Sequence, residues 1–292
     1  AGDSQAQGFL LGATAGRTTL NGEGLQHQDG HSHILANTIP NCVAYDPCFG
    51  YELAVIVHDG LKRMYVNQER VFYYLTVMNE NYEHPEMPQG VEEGIKRGMY
   101  QLEKDDKATV QLMGSGVILR EVIKAAKILR DEYQIHSNVW SVTSFNELAR
   151  EGMAVEEYNR LHPLEDGKEA WVSQQLRGTD GIVVSATDHM RAYSEQIRAY
   201  LPDSRPFVAL GTDGYGRSDT RGNLRSYFGV DAAHIVVATL KKLADEGEVD
   251  ARLVKDAISS FELDVDRPVA WLPQAHPTTQ DVAPYAEPTE EK

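Results

Sequence analysis

The sequence lacks the features that identify membrane proteins, secreted proteins and nucleic-acid-binding proteins. None of its apolar runs approaches the roughly 18 residues of a membrane span, although apolar residues make up 41% of the 292. Cysteine occurs only as Cys42 and Cys48, and two thiols without CxxC spacing are too few for a disulfide framework. The net charge is −16, with 28 Lys and Arg against 44 Asp and Glu, which repels a phosphate backbone. We therefore expect a cytoplasmic protein that binds neither membranes nor nucleic acids.

The amino terminus also lacks an initiator Met and the basic and apolar segments of a signal peptide. Its first residues read as the interior of an element, so we expect the chain to be a fragment of a longer protein. The length still suffices for one large domain or for two domains of ordinary size.

Residues 1–90 are predicted to form a first unit. Gly, Thr, His and Asn are frequent in residues 1–40, and the weak periodicity there predicts loops with short elements. Apolar runs and amphipathic spacing then predict regular elements, namely strands over 41–45 and 70–77 and a helix over 51–64. The composition changes to Asn, Glu and Pro over 79–90, which indicates a boundary. Residues 91–104 are predicted to be a linker.

Residues 105–270 are predicted to form a second unit, because strands and helices alternate along them. This alternation predicts a mostly parallel sheet with helices on both faces. The predicted strands cover 109–113, 138–142, 181–184 and 207–210, and the predicted helices cover 118–133, 145–160, 190–200, 231–244 and 250–261. Asp231 and Asp250 begin the last two helices and suit the N-cap position. The prolines and glutamates of residues 271–292 predict a disordered tail.

The densest group of reactive side chains is a glycine-rich segment of twelve residues, 22–33, with three histidines and two carboxylates. Its members are Glu23, His27, Asp29, His31 and His33. Imidazole and carboxylate both bind divalent metal ions, but this spacing matches no helical metal motif. A second interpretation is acid–base or oxyanion chemistry, because imidazole exchanges protons near neutral pH. A third is a structural loop whose imidazoles bond to backbone carbonyls.

Two glycine-rich turns follow predicted strands and precede helices, at 114–116 and 211–217. Either turn has backbone N–H groups suited to an anion at a helix N-terminus. Neither matches a dinucleotide-binding motif or a P-loop, so we interpret both as tight turns that need positive φ. Ser115 and Ser185 lie near strand ends without a GxSxG motif, so no hydrolase triad is predicted.

Five longer motifs resemble a known enzyme family. They are GFLLGATAGRTTLNGEGLQHQDGHSH at 8–33, YDP at 45–47, LTVMNENY at 75–82, VTSFNELAR at 142–150 and LGTDGYGRSD at 210–219. Together they closely resemble the homodimeric bacterial pyruvate dehydrogenase E1 components, over residues 2 to about 271. The resemblance implies a transketolase-like α/β fold. Residues 1–90 would be the second half of its pyrimidine-binding domain, and residues 105–270 its smaller C-terminal domain.

The same resemblance implies the cofactors and partners. The family uses thiamine diphosphate and Mg²⁺ to decarboxylate pyruvate oxidatively, and it transfers the acetyl group to the lipoyl domain of the E2 acetyltransferase. The family's GDG metal motif and its activating glutamate have no counterpart in this chain. We therefore expect the chain alone to be inactive and to need the amino-terminal part of E1, in a homodimer. The alternatives are a transketolase-like enzyme and a non-catalytic fragment for dimerisation or docking.

The resemblance also implies one catalytic residue. His27 matches the active-site histidine of the family's GLQH segment, which implies that it donates to the substrate oxygen and transfers protons. Glu23, Asp29, His31 and His33 are candidate supporting residues in the same segment, with a structural role favoured for His31 and His33. No cofactor-binding residue and no metal ligand is predicted.

Overall fold

The computed structural model describes residues 1–267 and contains two parallel-stranded α/β units, each built on its own sheet. The strands are β1 (Phe9–Gly12), β2 (Cys42–Tyr45), β3 (Phe72–Thr76), β4 (Met99–Glu103), β5 (Val110–Gly114), β6 (Ser137–Val142), β7 (Ile182–Ala186) and β8 (Phe207–Leu210). The helices are α1 (Ser32–Asn37), α2 (Gly50–Leu61), α3 (Glu92–Arg97), α4 (Leu119–Tyr133), α5 (Phe145–Leu161), α6 (Trp171–Leu176), α7 (Ala192–Glu195), α8 (Arg221–Phe228), α9 (Ala232–Asp245) and α10 (Ala251–Ser260).

The smaller unit is a three-stranded parallel sheet in the order β1-β3-β2. The central strand β3 is the apolar run predicted from sequence, and its Tyr73 and Leu75 are fully buried. A continuous apolar run suits a strand that is covered on both faces. Ile56 of α2 and Met64, in the π-helical turn that follows α2, pack with these strands in one hydrophobic cluster.

The larger unit is a five-stranded sheet in the order β4-β6-β5-β7-β8. Strands β5 to β8 are parallel, and β4 pairs with β6 in the antiparallel direction. Two separate hydrophobic clusters cover the two faces, one with α4, α9 and α10 and the other with α5, α6 and α7. The prediction of a mostly parallel sheet with helices on both faces is therefore confirmed.

The N-caps predicted at Asp231 and Asp250 are also confirmed. The Asp231 side chain accepts a hydrogen bond from the backbone N–H of His234, and the Asp250 side chain accepts one from Arg252. Each bond satisfies a backbone donor that the first turn of a helix leaves unpaired. No helix within residues 1–267 is long and apolar enough to cross a membrane.

Two predictions differ from the structure. Residues 91–104, predicted to be a linker, contain α3 and β4, and β4 is an edge strand of the larger sheet. Gly98, with φ 102°, makes the left-handed turn between these two elements. The helix predicted over 190–200 is broken into α7 and a 3₁₀ turn at 198–200. Within it the Ser194 hydroxyl bonds to the Arg191 carbonyl, and such local bonds compete with a regular helix. The predicted tail, 271–292, lies outside the described residues.

Candidate active site

The candidate site lies where the two units meet. The His27 loop, which we define as residues 20–31, connects the smaller sheet's first strand to α1. It contacts the segments that follow β7 and β8, at residues 187–190 and 211–217. The carboxyl ends of parallel strands are the usual place for ligand sites in open α/β sheets. The sequence motifs at 24–33 and 210–219 are therefore parts of one location.

His27 is an exposed histidine of this location, as is His31. It ends a 3₁₀ turn over Leu25–His27, and its backbone N–H donates to the Gly24 carbonyl over 3.0 Å. Its imidazole makes no hydrogen bond to any other residue of the described chain 1–267, and the residue is exposed. Glu23 is exposed on the same loop. An exposed and unpartnered imidazole on an ordered turn is available to a substrate.

Asp29 has a structural position. Its carboxylate accepts hydrogen bonds from the backbone N–H groups of His31 and Ser32, each over 3.0 Å, and from the Ser32 hydroxyl. Burial acts to raise the pKa of Asp29, but the charge of His189 and these hydrogen bonds outweigh it and lower the pKa. Asp29 is thus an ionised group at the start of α1, where a carboxylate stabilises the helix.

His31 and His33 occupy different environments from His27. His31 lies against the guanidinium of Arg17, and the Nη2 of Arg17 is 3.1 Å from the Nε2 of His31. Burial together with the Arg17 charge lowers the pKa of His31. His33 is fully buried, with its Nε2 2.9 Å from the Thr76 hydroxyl and its ring stacked on Tyr193. Burial, reinforced by the charge of His189, lowers the pKa of His33 to about 3. A histidine that stays neutral is not suited to proton transfer near pH 7.

A buried ion pair beneath the His27 loop was not predicted from sequence. Asp46 Oδ2 lies 3.6 Å from His189 Nε2, and the Asp46 carboxylate accepts hydrogen bonds from Thr76 (2.7 Å) and Ser115 (2.9 Å). Burial acts to raise the pKa of Asp46, but the His189 charge, together with the hydrogen bonds to Asp46 and the charge of His33, outweighs it and lowers the pKa to about 2. Burial acts to lower the pKa of His189, and Asp46 reverses the direction and raises it. This pair joins the smaller unit to the larger unit.

The same pair bears on metal binding. One nitrogen of His33, one of His189 and one oxygen of Asp46 lie within 4.8 Å of one another, and these three residues are the only such group found among residues 1–267. Both Asp46 oxygens already accept hydroxyl hydrogen bonds, and a proton on His189 balances the Asp46 charge. The group offers two nitrogens, whereas Mg²⁺ requires oxygen ligands. This group of three side chains therefore does not fit a magnesium diphosphate site.

The glycine-rich turns make hydrogen bonds within the chain. Gly116 has φ 49° and Gly214 has φ 92°, which confirms the prediction of turns with positive φ. The backbone N–H of Gly116 donates to the Asp46 carbonyl over 3.0 Å. Ser115 bonds to Asp46 and Thr187, and Ser185 bonds to Ser194. These contacts leave the two serines in structural networks.

Family models match both units. The model of the pyruvate dehydrogenase E1 component middle domain matches residues 1–85. The model of the transketolase-like TK C-terminal domain matches residues 98–231. Among curated proteins, the pyruvate dehydrogenase E1 component of Pseudomonas aeruginosa is 56% identical over 270 residues, and that of Escherichia coli is 55% identical over 270 residues. Each alignment covers 91% of this chain, which spans 30% of the length of each relative.

Solved structures show the same fold. A transketolase from Campylobacter jejuni matches with a TM-score of 0.60 and 17% identity, over 80% of this chain and 31% of that chain. A structure described as a split gene transketolase, inactive beta4 tetramer, matches with a TM-score of 0.50 and 19% identity, over 81% of this chain and 65% of that chain. Identities this low carry information on fold alone. The predicted transketolase-like α/β fold is confirmed.

Proposed function

This chain belongs to the pyruvate dehydrogenase E1 component family, and we propose that it is part of a pyruvate dehydrogenase. In that enzyme it would contribute the His27 loop and the two α/β units that hold the loop. The complete enzyme would decarboxylate pyruvate oxidatively and transfer the acetyl group to the lipoyl domain of E2. The observation that carries this proposal is that His27, at the junction of the two units, is exposed and its imidazole bonds to no other residue among residues 1–267. We place the enzyme in the cytoplasm and expect it to act as a homodimer.

His27 is the residue of this chain that we assign to proton transfer. The residue is exposed, and imidazole is the side chain that most often serves as a general acid or base. As a donor it would hydrogen-bond to the reacting oxygen of the substrate, and such a bond strengthens as charge develops there. Glu23 is exposed on the same loop and is a supporting candidate. Asp29, His31 and His33 are assigned to holding the loop.

We further propose that the cofactor is held by residues outside this chain. The resemblance to pyruvate dehydrogenase E1 components implies thiamine diphosphate and Mg²⁺, yet the one cluster of metal-type ligands found among residues 1–267 offers two nitrogens and one carboxylate, which do not suit Mg²⁺. Residues 1–90 would complete a pyrimidine-binding domain, and residues 105–270 would form the C-terminal domain. The chain alone would then be inactive. Isothermal titration of the chain with thiamine diphosphate and Mg²⁺ should show no binding, and a micromolar dissociation constant would contradict this.

Substitution of His27 tests the proposal in the assembled enzyme that contains this chain. His27→Ala should lower kcat for pyruvate by roughly 10²–10³-fold, with a smaller change in KM, because a transition-state hydrogen bond is lost. His31→Ala and His33→Ala are the matched controls from the same segment. His33→Ala should lower the melting temperature instead, since that ring is fully buried. Wild-type turnover in the His27 variant would refute the assignment.

Two alternatives give different results in the same preparation. A transketolase-like enzyme would transfer two-carbon units between sugars and leave pyruvate unchanged. A docking or dimerisation fragment would bind its partner while His27→Ala left every turnover unaffected. The identity of 55–56% to E1 components favours pyruvate as the substrate over both alternatives.

A further inference from the structure

We propose that the larger unit positions the His27 loop and that Arg17 is the positioning residue that links the two. The catalytic consequence of this inference rests on the proposed function, whereas the positioning itself is a property of the fold. It follows from where the hydrogen bonds of the His27 loop go. Four of them connect it to the larger unit, at residues 190, 217, 219 and 221.

Arg17 makes the central connection. Its side chain is 3% exposed, and its Nη1 donates to the carbonyl of Gln28, the residue after His27, over 2.8 Å. Its Nε donates to the Thr212 carbonyl over 3.2 Å, and its Nη2 donates to the Gly214 carbonyl over 2.5 Å. One planar guanidinium thus holds the His27 loop and the segment after β8 in a fixed relation. Lysine has a single ammonium group and cannot reproduce this fork of donors.

Gln28 makes a second connection beside it. Its Nε2 donates to the Leu20 carbonyl over 3.2 Å, and its Oε1 accepts from the backbone N–H of Arg217 over 2.6 Å. The packing here is close, since a Cβ added to Gly216 would lie 2.3 Å from the Leu25 carbonyl oxygen. The backbone on both sides of His27 is therefore held against residues 216–217.

Hydrogen bonds at both ends of the loop continue the pattern. The N–H of Gly22 donates to the Asp219 carbonyl over 3.0 Å, and the N–H of Met190 donates to the Gly30 carbonyl over 3.0 Å. The Arg221 guanidinium donates to the Thr19 carbonyl over 2.8 Å. The imidazole of His27 stays unbonded while its flanking backbone is fixed. A catalytic group needs this combination, because small errors in its position cost large factors in rate.

Hydrogen exchange in the full 292-residue chain tests the positioning. Arg17→Gln and Gln28→Met should each raise the exchange rate of protected amides in residues 20–31 by at least about tenfold, while amides of β3 and β5 keep their rates. Arg150→Gln is the matched control, because Arg150 also bonds to backbone carbonyls, those of Ile39 and Cys42, but outside the His27 loop. It should loosen residues 37–42 and leave the His27 loop unchanged. Folded Arg17 and Gln28 variants with unchanged loop exchange would overturn the inference.

A double-mutant cycle in the assembled enzyme tests the catalytic consequence. Arg17→Gln should lower kcat for pyruvate at least about tenfold, while KM stays within about twofold of the wild type. In a His27→Ala background, Arg17→Gln should lower kcat no further, because both substitutions act through one imidazole. Equal losses in both backgrounds would refute positioning through His27. If Arg17→Gln does not fold, Arg17→Lys and Gln28→Met replace it in both experiments. A parent enzyme that leaves pyruvate unchanged would refute the proposed function, and loop exchange would still decide the role of Arg17.

Discussion

Replacing Asp188 by Asn should stabilise the chain, increasingly so as the pH rises. Asp188 is 3% exposed, and its two carboxylate oxygens lie 3.1 and 3.3 Å from the backbone nitrogen of Thr18. Burial raises the pKa of this carboxyl from 3.8 to about 7, although the charges of His189 and Arg225 act against the rise. The folded chain therefore holds a proton on Asp188 between about pH 4 and 7 that the unfolded chain has released.

The size and sign follow from this difference in proton binding. Where the folded state binds more protons than the unfolded state, stability falls as the pH rises. A carboxyl that titrates near 7 when folded and at 3.8 when unfolded loses up to about 4 kcal/mol of folding free energy across that range. Asn keeps an acceptor for the Thr18 N–H and does not ionise. The free energy of unfolding of the variant should rise relative to that of the wild type from about pH 4 upward. Above about pH 7 the difference between the two should stay constant.

Urea unfolding of both proteins at a series of pH values measures this directly. Asp29→Asn is the control of opposite sign, because the lowered pKa of Asp29 means that its ionised form stabilises the fold above its unfolded pKa. That variant should be less stable than the wild type at neutral pH, with the deficit shrinking as the pH falls below about 4. A difference between Asp188→Asn and the wild type that does not change with pH would refute the reasoning.

Two further substitutions test the packing and capping of the larger unit. Leu129→Ala in α4 should lower the free energy of unfolding by about 2–5 kcal/mol, because Leu129 is fully buried. Its control is Leu164→Ala, at a residue that is 98% exposed, which should change the free energy of unfolding by less than about 0.5 kcal/mol. Equal effects of the two substitutions in urea unfolding would contradict the packing described. Asp231→Ala should lower the free energy of unfolding by about 1 kcal/mol, because it leaves the backbone N–H of His234 without its acceptor. Amide hydrogen exchange should become faster only in the first turn of α9. Unchanged exchange there would show that the cap is not formed.

Local signals were sufficient to predict most of the regular elements. Each correct prediction rested on a pattern within a few neighbouring residues. The structure contains the apolar run of β3, the alternation of strands and helices from β5 to β8, and the two Asp caps. Strand β4 was missed because a five-residue edge strand, Met99–Glu103, gives little periodicity. Its place depends on pairing with β6, which no local pattern contains.

The candidate site was less accessible to sequence reasoning. The histidine-rich segment identified the loop, but its composition and spacing did not distinguish the exposed His27 from the buried His33; only the family resemblance singled out His27. Their difference comes from packing against Tyr193 and Thr76, far along the chain. Arg17 and Thr212, which bond to each other, lie 195 positions apart. The ion pair of Asp46 and His189 was likewise invisible, since each residue lies next to a strand of a different unit.

The acceptors around Arg17 have a consequence for how this junction evolves. Arg17 bonds to backbone carbonyls of Gln28, Thr212 and Gly214, and every residue type has such a carbonyl. The contact with Arg17 therefore does not depend on the side chain at position 212. Gly214 needs glycine for its φ of 92°, and Gly216 needs it because of the nearby Leu25 carbonyl. Recombination between relatives could thus exchange the larger unit whole and keep the contact with Arg17, provided that the incoming segment has both glycines.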